Sequence, residues 1–248
     1  MKIKYPTKLS EIPLGNYQKW MNTASNSTDE ELMVHKLLEI FLGLKLTDVR
    51  SMKVKDINFF IDKIVKVLNT KPKFKKRWKY GNVEFGLIPD IENMSFGEYI
   101  DIESSFADHK NWHKALAVLY RPITKTFKDT YEIMEYKGDD EFHEAMKYCS
   151  LEIALGVQVF FWKLERELLL NTQSYLNDQM KKMKEDLTTA KKHNSANSGD
   201  GITASIEYVK KTYEDLMKLQ PYPTIQLSPS YPMKSKKNKL STININDN

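Results

Sequence analysis

The sequence predicts a mainly α-helical protein: a helical core with one small β-hairpin, a long helical-hairpin arm and an extended C-terminal tail. Three observations carry that prediction. Glycine and proline are sparse, nine of each in 248 residues, and so little punctuation suits long helices. Apolar residues return at helical spacing through most of the chain. Only residues 73–88 alternate with a period of two, around Gly81-Asn82.

The totals bound the rest. Hydrophobic residues make up 41% and aromatics 11%, enough for a sizeable core and too rich for a disordered chain. No apolar run approaches the roughly 20 residues of a membrane span. The opening MKIKYPTKLSEIP lacks the apolar segment of a secretory signal. A single cysteine, Cys149, excludes an internal disulfide and a cysteine-based zinc site, and fits a reducing compartment. The net charge of +5 is mild and does not demand nucleic acid. Basic residues gather at the end, where Lys234, Lys236, Lys237 and Lys239 face one acid, Asp247.

In chain order, PLGNYQKW at 13–20 reads as a helix entry, with Tyr17, Trp20 and Met21 on one face. After the polar NTASNST, Ser27 with Glu30 or Thr28 with Glu31 forms a capping box for the leucine-dense Leu32–Leu42, which ends at Gly43. Thr47 and Asp48 cap a short helix. Asp56 opens another, with Ile57, Phe60, Ile61, Ile64, Val65 and Leu68 in step, stopped by Asn69 to Pro72. The hairpin follows, with Phe74, Trp78 and Tyr80 on one face and Lys75, Arg77 and Lys79 on the other. SFGEYIDI at 95–102 then repeats the opening octet, with a Ser95–Glu98 capping box and a Tyr expected to face the core. Helix starts are few in kind, and the match does not extend further, so chance recurrence explains the pair better than duplication.

Residues 111–120 form a short apolar helix closed by Arg121-Pro122. TYEIMEY at 130–136 is a strand or an extended link, and Asp139 and Asp140 open a helix running to about Cys149. From Leu151 to Leu170 the chain is apolar almost all round, the mark of a central buried helix. Leu176, Met180, Met183 and Leu187 then narrow to the seam of a helix pair. HNSANSGDG turns the chain. Ile202, Ile206, Val209, Tyr213 and Leu216 return along the partner helix. PYPTIQLSPSYP, with four prolines in twelve residues, favours an extended path. The expected organisation is a core over 1–170, an arm over 171–220 and a Pro-rich, basic tail over 221–248.

Chemistry-bearing constellations are weak. His109 and His113 have helical ligand spacing but no third ligand nearby, and read better as helix-surface histidines beside Trp112. Asp139, Asp140, Glu141 and Glu144 crowd a helix start, where acids are common in any case. Cys149 has no partner motif of a nucleophile and reads as a buried small residue. SGDGIT at 198–203 lacks the lysine of a phosphate loop, and no dinucleotide, hydrolase or zinc-protease signature is present. The sequence thus assigns no catalytic residue, metal or cofactor, and predicts a non-enzyme. What remains is interaction surface: Leu176, Met180, Met183, Leu187, Ile206, Val209 and Tyr213 on the arm, and Tyr222, Pro223 and Tyr231 on the tail, as partner-binding residues. Lys75, Arg77 and Lys79 form a possible DNA- or phosphate-facing edge.

The order of phrases resembles a family. LSEIPLGNYQKW, a leucine helix ending FLGL, WKYGNVEFGLIPDI, MSFGEYIDIE, ALAVLYRPI, the EY-G link at 135–138, VQVFFWKL and a late SGDGI follow one another over about residues 8–220. In this the chain is similar to small virion or tail-assembly proteins of tailed bacteriophages infecting Bacteroidetes, including crAss-like phages. The resemblance implies a virion ring subunit of the head–tail connector below the portal, or a nearby tail component, with no catalytic residues. Its partners would be copies of itself, the portal protein and adjacent rings, with transient contact to translocating DNA and none to membrane. The arm and tail exceed the compact core of that family. Rival expectations are a tail-assembly chaperone that leaves before the virion is complete, and a DNA-binding accessory module.

Overall fold

The computed structural model describes residues 3–128, 130–138, 142–190 and 200–218, with backbone alone at 165, 183–190, 200–204, 216 and 217. The described residues are 64% helical, in nine α-helices with one four-stranded antiparallel sheet. The expected C-terminal tail, with Tyr222, Pro223 and Tyr231, lies outside them, as do Asp139, Asp140 and Glu141.

The N-terminal half is a run of short helices: α1 (Leu14–Asn26), α2 (Glu30–Leu42), α3 (Leu46–Ser51) and α4 (Val54–Leu68). Their ends follow local chemistry. Asp29, rather than Ser27 or Thr28, caps α2, accepting from the backbone N–H groups of Glu31 and Leu32 at 2.9 and 3.3 Å. The Ser27 hydroxyl instead accepts from Asp29 N–H at 3.1 Å. Gly43 closes α2 at φ +69°, and its N–H reaches Glu39 O. Asp48 accepts from Lys45 N–H to start α3, and Asn69 ends α4.

The sheet is larger than the predicted hairpin. β1 (Arg77–Tyr80) and β2 (Val83–Leu87) pair across the expected Gly81-Asn82 turn, with Trp78 opposite Phe85. Two further strands extend the sheet in sequence order: β3 (Tyr120–Thr126) and β4 (Tyr131–Ile133). Arg121-Pro122 therefore does not stop the chain; it lies inside β3, with Pro122 opposite Phe85. Pro122 has no N–H to donate, but it sits beside the end of β4, and its carbonyl still accepts from Met134 N–H at 2.8 Å.

Between the two hairpins lie α5 (Phe96–Phe106) and α6 (Trp112–Leu119). The Ser95–Glu98 capping box forms as the sequence requires. A short α7 (His143–Met146) replaces the longer helix expected up to Cys149. The core gathers Leu14, Tyr17 and Trp20 of α1, Leu37 and Leu38 of α2, Ile61 and Ile64 of α4, and Leu116 and Leu119 of α6.

Into that core runs the start of α8 (Leu151–Ala190), 40 residues or about 60 Å long at 1.5 Å per residue. Backbone bonds anchor its entry: Leu151 N–H donates to Ile12 O at 2.7 Å, and Leu14 and Gly15 N–H donate to Cys149 O and Lys147 O at 2.8 Å. Gly156 lets it cross the 73–74 segment closely, since a methyl there would lie 2.5 Å from Lys73 O. Burial ends sooner than the apolar run predicts. Leu151, Ile153, Ala154, Leu155, Val157 and Val159 are buried, but Leu164, Leu168 and Leu170 are exposed. The other elements cover only the first turns of α8, so its composition extends past its covering. Beyond them it packs with α9 (Asp200–Lys218). No helix among the described residues is long and apolar enough to cross a membrane.

Candidate interaction surfaces

The helix pair α8–α9 carries the first candidate surface. Leu176 and Met180 on α8, and Ile206, Val209 and Tyr213 on α9, are half-buried on two helices that pack together. They sit where a seam within this chain would consume them, as their spacing requires. The side chains of Met183 and Leu187 lie outside the described residues. What faces outward is a different set. Leu168 is 65% exposed, Tyr175 62% and, on α9, Tyr208 73%, with Leu164 exposed as well. At 100° per residue, Leu164, Leu168 and Tyr175 form one stripe roughly 110° from the seam. The i, i+4, i+11 spacing was present in the sequence, hidden inside a run that read as buried.

The second surface is the cationic edge of the first hairpin. The structure pairs most of it internally. Lys75 Nζ meets Glu152 Oε2 of α8 at 2.6 Å. The Arg77 guanidinium lies 4.4 Å above the Tyr131 ring of β4, and donates to Thr130 O at 3.4 Å. Lys79 is exposed. Trp78 stacks on Phe85, ring centroids 4.8 Å apart, on the sheet's other face. Strand β3, where the sequence signalled a stop, and β4, within the segment read as a strand or an extended link, bring Tyr131 over the cations. Gly86 makes room for it, since a methyl there would overlap the Tyr131 ring. The Tyr131 hydroxyl donates to Leu87 O at 2.7 Å.

A polar groove of about 550 Å³ between α1, α6 and the 144–148 turn is the third. Lys19, Lys110 and Lys147 line it, with Asn16, Gln18 and His113. His113 is not the surface residue its spacing predicts; it is buried. Gln18 Nε2 donates to His109 O at 2.8 Å and to Lys110 O at 3.0 Å, and stands 3.0 Å from His113 Nδ1. The two carbonyls hold the amide nitrogen, not the amide oxygen, toward them. Burial, then the Lys147 charge, push His113 down to about 4, so it is neutral at pH 7. Glu144 also lines the groove and pairs with Lys147 at 2.6 Å.

The fourth surface was not foreseen. In the octet at 13–20, Tyr17 is 2% exposed and Gly15 packs with Lys147 Cβ and O, each 3.2 Å from where its own Cβ would stand. In the octet at 95–102 the match of letters hides a different setting. Tyr99 is 53% exposed, not core-facing, and Phe96 and Ile100 are exposed beside it. α5 is instead anchored through Ile102 and Glu98, whose Oε1 accepts from buried Arg121 Nη2 at 2.6 Å. Tyr136 lies against that guanidinium, 5.7 Å from its ring centroid, and donates to Asp101 Oδ2.

Cys149 is buried, as its surroundings in the sequence predict, and burial pushes its thiol up to about 12. Among the described residues no three His, Cys, Asp or Glu side chains gather as a metal-ligand group. No protein-family model, curated protein or solved structure matches the chain.

Proposed function

We propose that this chain is a structural ring subunit of the portal, neck or tail of a tailed bacteriophage, a head–tail connector component assembled in the host bacterial cytoplasm and retained in the virion. It acts by packing, not catalysis. Its partners are copies of itself, the portal protein and adjacent neck or tail rings. The observation that carries the reading is the outward stripe Leu164, Leu168 and Tyr175, with Tyr208, on helices that continue past the core. A soluble monomer gains nothing from large apolar side chains held in water on an extended element, whereas a subunit that buries them against neighbours does. The family resemblance in the order of sequence phrases supports the same reading.

The test is quantitative mass spectrometry of purified particles of the phage encoding this chain, scaled to the major capsid protein. A stoichiometric signal at a small symmetric copy number, such as about twelve, is the expected result. Absence from particles with abundance in infected-cell lysate overturns it in favour of a tail-assembly chaperone.

A further inference from the structure

We infer that the exposed face of α5 is the seat for the C-terminal segment 221–239 of a neighbouring copy of this chain. The inference rests on the ring-subunit reading for its partner and adds the surface that receives it. Phe96, Tyr99 and Ile100 occupy positions i, i+3 and i+4 of one helix, so they share one patch. All three are exposed, Phe96 to 79%. On α5 and in the loop that leads into it, Asp90, Glu92, Asp101 and Glu103 are also exposed. Among the described residues none of these four pairs with a lysine or arginine. Asp90 is held by Glu92 N–H and Asn93 Nδ2, and Asp101 by the Tyr136 hydroxyl, so the rim is ordered. From residue 81 to 109 the chain has seven acidic residues and no lysine or arginine, although its net charge is +5.

The segment 221–239 has the complementary chemistry in the complementary order. PYPTIQLSPSYP carries Pro, Tyr, Ile and Leu and no charge; MKSKKNK then carries four lysines and no acid. Apolar side chains would cover the Phe96–Tyr99–Ile100 patch while the lysines meet the acidic rim. Proline restricts the free chain, which lowers the entropy lost on docking, and proline-rich segments characteristically dock on exposed aromatics. The stripe on α8 fits this occupant less well, because five cations are interleaved with six acids along that helix, whereas the 81–109 stretch has acids alone. Segment and seat are different surfaces of one chain, so each copy gives its tail to the next. That is a head-to-tail contact, the kind that closes a ring.

Zero-length carbodiimide cross-linking of the full chain tests this, on an equal mixture of unlabelled and heavy-nitrogen-labelled protein. The expected result is amide links from Lys234, Lys236, Lys237 or Lys239 to Asp90, Glu92, Asp101 or Glu103, in peptide pairs carrying one of each label. Phe96→Ser with Tyr99→Ser, at two exposed positions, should lower the yield roughly tenfold without unfolding the protein. Lys236→Glu with Lys237→Glu should also lower it, and adding Asp101→Lys with Glu103→Lys should restore it. Links only within one label, links to other carboxylates, or a yield unmoved by the α5 substitutions would overturn the inference. Light scattering on the same samples separates the two readings. A multimer without tail-to-α5 links leaves the ring subunit standing and removes this seat; a chain that stays monomeric removes both.

Discussion

His113 is a base kept neutral by its surroundings, and it ties stability to pH. Its folded value, about 4, lies below the ordinary 6.5 because burial and Lys147 disfavour the cation. A histidine depressed on folding adds stability above its unfolded value, and that stability fades as pH falls toward the folded value. The chain should therefore lose about 2–3 kcal/mol between pH 6.5 and 4 from this group. Chemical denaturation at stepped pH reads the loss, and His113→Gln should flatten that limb. The Glu98–Arg121 pair makes a separate residue-scale prediction. Both side chains are buried and joined at 2.6 Å, so removing one partner strands a charge. Glu98→Ala should cost roughly 3–5 kcal/mol in denaturant, whereas Glu98→Leu with Arg121→Met should cost much less.

At the scale of elements, the four-stranded sheet and the long helix each depend on a glycine that lets another element approach. Gly86 faces Tyr131 across the sheet, and a methyl there would meet the ring and stand 3.0 Å from Ile123 Cγ1. Gly86→Ala should destabilise the protein by about 1–3 kcal/mol, measured from the denaturation midpoint. Combined with Tyr131→Ala, the loss should fall short of the sum of the two single losses, because both act on one contact. Both hairpin turn and capping box were legible in the sequence, since each rests on side chains a few residues apart. β4 was half legible, as a strand or an extended link, but β3 was not, because Arg121-Pro122 carries a local stop signal that its place beside the end of β4 makes harmless.

At the scale of the whole molecule, the outward stripe on α8 and the apolar face of α5 are where association should be decided. Leu168→Asp with Tyr175→Asp changes two exposed positions, so the fold should survive, with circular dichroism and melting unchanged. Self-association, read by light scattering or sedimentation, should weaken by tenfold or more if those side chains anchor a subunit contact. The hairpin edge makes the converse point. With Lys75 on Glu152 and Arg77 on Tyr131, reversing Lys79 alone to Glu should leave retention on immobilised DNA and its salt dependence little changed.

The helical class, the turn of the first hairpin, the α5 capping box, the Gly43 stop, the burial of Cys149 and the seam spacing of the arm are all legible in the sequence. Each depends on periodicity or on groups within a turn of one another, and those interactions are written locally. Long-range packing sets where α8 leaves the core, covers Arg77 with Tyr131, buries His113 against Gln18, and turns Tyr99 outward where Tyr17 faces in. In each case the deciding neighbour is far away in the chain: Gln18 lies 95 residues from His113. An octet of letters can specify a helix entry, but which of its faces is covered depends on what the rest of the chain brings to it.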